Sequence, residues 1–143
     1  MPPNRRTPDG LEYGPTIKGK IYLSLFYHRG DGSRMFKNRW CVLPDIEYDI
    51  FSFSDENSLY DAKQNYWGVL EQGQTVIGEK GERLSKFPCT TNPQDAWHGY
   101  PVFCVDERKR NALPSDFDKL VERWIIDGII TKEIGRKIQK EKI

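Results

Sequence analysis

From residue 115 onward, apolar side chains return every three or four positions: Phe117, Leu120, Val121, Trp124, Ile125, then Ile129, Ile130, Ile134 and Ile138. This is the 3.6-residue period of an amphipathic helix, and such a stripe is stable only when something covers it. The period breaks at Gly128, which suits the left-handed position that ends a helix, and Thr131 is placed to cap a second one. Pro114 and Ser115 make a fitting lead-in. The spacing predicts a C-terminal helical hairpin that either packs on the rest of the chain or docks elsewhere.

Upstream the period changes. Residues 20–28 (KIYLSLFYH) alternate Ile21, Leu23 and Leu25 with Tyr22, Ser24 and Phe26, the two-residue period of a strand. The turn-like RGDGSR of residues 29–34 and the extended pattern of residues 35–43 complete an expected β-hairpin. Pro44 is expected to stop that strand, and residues 47–53 (EYDIFSF) read as a third, making a three-stranded meander. Ser54 and Asp55 are good N-caps for a short helix carrying Leu59, Ala62 and Tyr66. Short strands are expected around residues 69–70, 75–77, 84–87 and 102–105, with a loop at residues 88–101. Residues 1–19 hold four prolines and three glycines and read as an arm. The expected fold is α+β: an antiparallel sheet of about five or six strands, one short helix and the hairpin. The expected division is an arm (1–19), a β-rich body (20–112) and the hairpin (113–143).

A chain of 143 residues is one domain, and 13% aromatic residues give it an aromatic-rich core. No stretch approaches the ~20 apolar residues of a bilayer span, and the first residues lack the apolar run of a signal peptide, so a soluble cytoplasmic protein is expected. Cys41, Cys89 and Cys104 form no CxxC pair and read as reduced, buried thiols. No GxxxxGK[ST] or GxGxxG occurs, so no cofactor is expected. Net charge is +1 and the pI is about 7.7, well below that of a dedicated nucleic-acid binder. Yet the ends are basic, with ten Lys/Arg against seven acids over residues 107–143, while residues 21–106 carry eight against twelve. Basic ends can form a patch or meet the acidic middle of a second copy.

The last ~27 residues, with Gly128, Ile129, Ile130, Thr131 and Glu133 at the turn, resemble the short C-terminal helical hairpin known as the SHOCT domain. Gly135 departs from that pattern, where the family keeps a good helix former. The resemblance implies oligomerisation or nucleic-acid contact, a docking role rather than chemistry.

The most distinctive local sequence is Trp97, His98, Gly99, Tyr100 and Pro101. A histidine titrating near neutrality between two rings suits acid–base work or stacking on a planar ligand. The plainer reading, in which Trp97 and Tyr100 plug the loop onto the sheet, is favoured. A catalytic His98 needs Lys86, Arg83 or His28 beside it, a set that would suit metal-free RNA cleavage. Asp45, Glu47 and Asp49 alternate, so on a strand their carboxylates share one face. A solvated edge strand explains them better than a metal, and no metal site is assigned. Lys37 and Arg39 share the outward face of their strand while Trp40 points inward. With Trp97, Tyr100, Trp124, Lys132, Arg136 and Lys137 they make up the candidate binding residues. The leading expectation is a protein that binds a macromolecular partner, by protein contact or self-association, with no membrane role. The alternatives are a metal-independent ribonuclease built on His98 and a nucleic-acid binder.

Overall fold

A computed structural model describes residues 1–29 and 38–143. The fold is α+β, with two three-stranded antiparallel sheets and four α-helices among the described residues. The first sheet holds β1 (Arg5–Arg6), β2 (Gly10–Tyr13) and β3 (Tyr22–Leu25), paired in that order. The expected arm therefore contributes two of the three strands of this sheet. Its prolines fall outside the paired segments, where they remove no ladder bond. β3 pairs with β2, and residues 38–43, the described part of its expected partner, form no strand with it; positions 30–37 of that hairpin lie outside the described residues.

The segment read as a third strand is helix α1 (Pro44–Glu56). Pro44 occupies the first helical position instead of ending a strand, and Asp45 and Glu47 complement the dipole of the first turn. Along α1 the buried residues Glu47, Tyr48, Ile50, Phe51, Ser54 and Asp55 follow the helical period, which a run as short as EYDIFSF does not distinguish from alternation. Ser54 and Asp55, expected to open a helix, instead close one. Ser54 donates to the Trp67 carbonyl at 2.6 Å, and Asp55 accepts from Thr16 at 2.5 Å. In place of the expected helix, Asp61 organises a turn by accepting from the Lys63 and Asn65 amides at 2.8 and 3.1 Å.

The second sheet joins β4 (Tyr66–Gly68), β5 (Leu84–Phe87) and β6 (Tyr100–Val102). The stretches expected as strands around residues 69–70 and 75–77 flank a 3₁₀ turn at Glu71–Gly73 instead. The last expected strand ends at Val102, and helix α2 (Cys104–Lys109) follows, with acids in its first turn and bases in its last. Ahead of β6, the Trp97 amide donates to Ile21 at 2.8 Å and its carbonyl accepts from Leu23 at 2.7 Å, stitching the two sheets together.

The hairpin forms as its spacing predicts, from α3 (Phe117–Ile126) and α4 (Lys132–Gln139). Gly128 adopts φ +75°, and the Thr131 hydroxyl accepts the Ile134 amide at 3.1 Å. Gly135 has a packing reason, since a Cβ there would lie 2.4 Å from Ile125 Cδ1. The hairpin packs on the body: Phe117, Val121, Trp124, Ile130, Ile134 and Ile138 form one core with Trp67, Leu84 and Val102. On the other side of the second sheet lies an aromatic core of Tyr13, Tyr22, Trp40, Tyr48, Phe51, Tyr66, Phe87 and Trp97 with Ile50 and Ile77. Adjacent residues Tyr66 and Trp67 serve opposite cores, as alternation along a strand requires. No helix among the described residues is long and apolar enough to cross a membrane.

Candidate functional site

Where the hairpin turn meets α1, three distant pieces of chain enclose a groove of about 380 Å³. Helix α1 supplies Asp49, Ile50 and Phe53, the stretch after β4 supplies Val69, Leu70, Glu71 and Gln72, and the hairpin turn supplies Gly128 and Ile129. Ile50 is buried as its floor, while Phe53 stands 45% exposed. Phe53 is outside because α1 turns Ile50, Phe51, Ser54 and Asp55 inward. Two residues before Gly128, Ile126 is 79% exposed at the end of α3.

The wall at Glu71 and Gln72 is strained and fastened. Both residues sit in the left-handed region, at φ +51° and +59°, which costs a side-chain-bearing residue roughly 1 kcal/mol or more. The Gln72 amide donates to the Gly128 carbonyl at 3.1 Å, and the Thr131 amide donates to the Gln72 carbonyl at 3.4 Å, so wall and hairpin turn are one unit. The charged groups lining the groove are Asp49 and Glu71, both acidic. Burial raises the Asp49 carboxyl above its ordinary value, and Asp45 one turn earlier adds to the rise. An apolar trough with a negative rim is suited to an apolar side chain flanked by Lys or Arg.

Beneath the other end of α1, Glu47 is buried and accepts from Tyr22, from Ser24 at 2.8 Å and from Arg29 Nη2 at 2.7 Å. Burial pushes its carboxyl up to about 7 against the pull of Arg29 and the donors. This corrects the reading of Asp45, Glu47 and Asp49 as one solvated face. On a helix they diverge, with Glu47 inward and Asp45 toward the Met1 ammonium at 3.0 Å. Among the described residues, no three His, Cys, Asp or Glu side chains gather as a metal site.

The residues singled out in the sequence are scattered. His98 is exposed, and the bulk around it lowers its imidazole below the ordinary value. His28 is buried, with Nδ1 2.9 Å from the Asn38 carbonyl and its ring stacked 5.4 Å from Tyr100. Tyr100 is half-buried and faces Lys86 across the β5–β6 register. The Lys86 ammonium is buried, 2.9 Å from Glu107, 3.1 Å from the Ala112 carbonyl and 5.4 Å over the Trp67 ring. Arg83 is half-buried just before β5. Among the described residues no hydrogen bond or ion pair joins His98 to Lys86 or Arg83.

Trp97 is a core ring, 5.6 Å from Phe51 and 5.2 Å from Tyr66, and Trp124 is another, edge-on to Phe117 at 5.9 Å. Neither presents its face to solvent. Arg39 is half-buried, 3.9 Å from Glu79, and Lys37 lies outside the described residues. On α4, Lys132 is exposed, Arg136 engages Glu122 at 2.8 and 2.9 Å, and Lys137 approaches Glu133 at 3.4 Å. Cys104 is buried and its thiol is pushed up to about 12 by burial first and Glu107 second, whereas Cys41 and Cys89 are exposed, contrary to the expectation of three buried thiols.

The groove residues escaped sequence reasoning because Phe53 on a strand shares the inward face of Phe51. Only a helical reading of residues 44–56 turns it out. Comparison with protein-family models, with curated proteins and with solved structures finds no match for this chain, so the resemblance at its C-terminus rests on the hairpin residues alone.

Proposed function

We propose that this chain acts by binding a protein partner, and that the groove between α1 and the hairpin turn receives from that partner a segment combining an apolar side chain with Lys or Arg. The observation that carries this reading is the acid-rimmed apolar trough itself, with Phe53 standing exposed at its edge. Exposed aromatic side chains beside an apolar recess are frequent anchors of protein interfaces. The left-handed backbone at Glu71 and Gln72 fits a surface whose shape is maintained at a cost in stability. RNA cleavage has less support, because Lys86, one of the three residues expected beside a catalytic His98, is buried against Glu107.

A random-peptide display selection against the full chain tests the proposal. Retained peptides should pair Leu, Ile or Phe with Lys or Arg, and Phe53→Asp should weaken them by about 2 kcal/mol, close to thirtyfold, with the melting temperature nearly unchanged. Acidic peptides, or peptides indifferent to Phe53→Asp, would refute it.

A further inference from the structure

A second groove, of about 460 Å³, opens between the turn that precedes β3, the residues ahead of β4 and the loop after β5. Its lining includes Lys18, Lys20, Gln64, Tyr66, Thr91 and Trp97, and the charged groups among its lining residues are the two lysines. Its electrostatic character is thus opposite to that of the groove on α1.

The floor is fixed in advance. Lys20 Nζ lies 2.8 Å from Asp55 Oδ1 and 5.6 Å from the centre of the Tyr66 ring. Asp55 is wholly buried and accepts from the Thr16 hydroxyl at 2.5 Å. Burial alone would raise the Asp55 carboxyl, but Lys20, Thr16 and Tyr66 hold it below its ordinary value, so it stays ionised. Burial and the neighbouring Asp55 charge push the Tyr66 hydroxyl up, so the ring stays neutral. A charged pair and a neutral ring therefore hold their positions at the base of an open groove. Lys18 is exposed on the rim, its ammonium 2.8 Å from the Ser58 hydroxyl, and forms no ion pair among the described residues.

We infer that this groove binds one nucleotide unit. The ammonium groups of Lys18 and Lys20 meet the phosphate. The edges of Tyr66 and Trp97 form an apolar wall for the base, and the Gln64 amide and Thr91 hydroxyl supply donors and acceptors for the base edge. The chemistry fits because a nucleotide is the ligand class that joins a phosphate to a flat ring with a hydrogen-bonding rim. The volume lies in the range of small-ligand sites. The site does not depend on the partner groove, with which it shares no lining residue.

The test is titration of the full chain with adenosine monophosphate, with an octamer of uridine and with inorganic phosphate, followed by amide shifts in NMR spectra. Saturable shifts at Lys18, Gln64 and Thr91 are expected with at least one of the two nucleotide ligands. Lys18→Glu should weaken that binding at least tenfold, with Lys140→Glu just after α4 changing it less than twofold and both variants melting with the wild type. Binding of the monophosphate assigns a free nucleotide as the ligand, and binding of the octamer alone assigns a single strand. In the strand case the logarithm of affinity should fall with the logarithm of salt at a slope near −0.7, as neutralisation of one phosphate requires. Absence of saturation by either nucleotide ligand, phosphate binding as tightly as the monophosphate, or indifference to Lys18→Glu would overturn the assignment.

Discussion

Around the C-terminal hairpin the buried side chains are mostly aliphatic, with Val121, Ile130, Ile134 and Ile138 against Leu84 and Val102. Around β3 and α1, by contrast, eight of the ten clustered residues are aromatic. Tyrosine carries a hydroxyl into whatever core it joins, and that hydroxyl needs a partner. The aromatic side accordingly holds two buried carboxylates, with Glu47 accepting from Tyr22 and Asp55 partnered by Thr16, Lys20 and Tyr66. The aliphatic side chains ask only for periodicity and volume, while Trp67 among them donates to Asp61 and lies under the Lys86–Glu107 pair. An aromatic core built on tyrosine asks for polar contacts between residues far apart, here separated by 25 positions for Tyr22 and Glu47 and 39 for Thr16 and Asp55.

The comparison breaks most visibly at Glu47. Replacing it with alanine leaves Arg29, Tyr22 and Ser24 without their shared acceptor, and the expected loss is about 3–5 kcal/mol of unfolding free energy in denaturant titration. In the aliphatic core, Ile138→Ala should cost about 3 kcal/mol through the cavity it leaves, with no change in how stability varies with pH.

That pH dependence sharpens the contrast. The Glu47 carboxyl lies at about 7 when folded, against 4.5 when exposed in the unfolded chain, so the folded state binds its proton more readily. Its contribution favours folding at low pH and is lost as pH rises from about 4.5 through about 7. Asp55 has the opposite sense: its contribution is present above 3.8 and is lost as pH falls through its lowered folded value. His98, lowered when folded, opposes Glu47 near neutrality. Stability curves of the wild type and Glu47→Gln should therefore differ in slope between pH 4.5 and 7 and run parallel above. Curves parallel throughout would remove Glu47 from the account. The smallest expected effects lie in the hairpin turn. Thr131→Ala should cost about 1 kcal/mol by removing the cap on the Ile134 amide, without altering the pH slope.

The same contrast explains what could be read in advance. The hairpin was legible because its cues are local: a 3.6-residue stripe, Gly128 to end one helix and Thr131 to start the next. Helix α1 was not, since EYDIFSF satisfies both periods and Pro44 serves equally to end a strand or begin a helix. The prolines of the first 20 residues hid β1 and β2 because their position relative to the ladder, rather than their number, decides whether strands form. Neither groove was legible. One brings Phe53, Leu70 and Ile129 together and the other brings Lys18, Tyr66 and Thr91 together, and no pattern along the chain records such juxtapositions. Trp97 was legible as a plug and Lys86 was not legible as a buried ion, because its partner Glu107 lies 21 positions away.

Both the aliphatic core and the partner groove require the hairpin to be part of the body, sharing one unfolding transition with the second sheet. Native-state hydrogen exchange tests this most directly. The amides of Ile134 and Ile138 in α4 should exchange with the same opening free energy as those of Leu84 and Phe87 in β5, equal to that of global unfolding. Exchange in α4 through a much smaller opening energy, with β5 still fully protected, would show a hairpin that detaches by itself and would contradict the account.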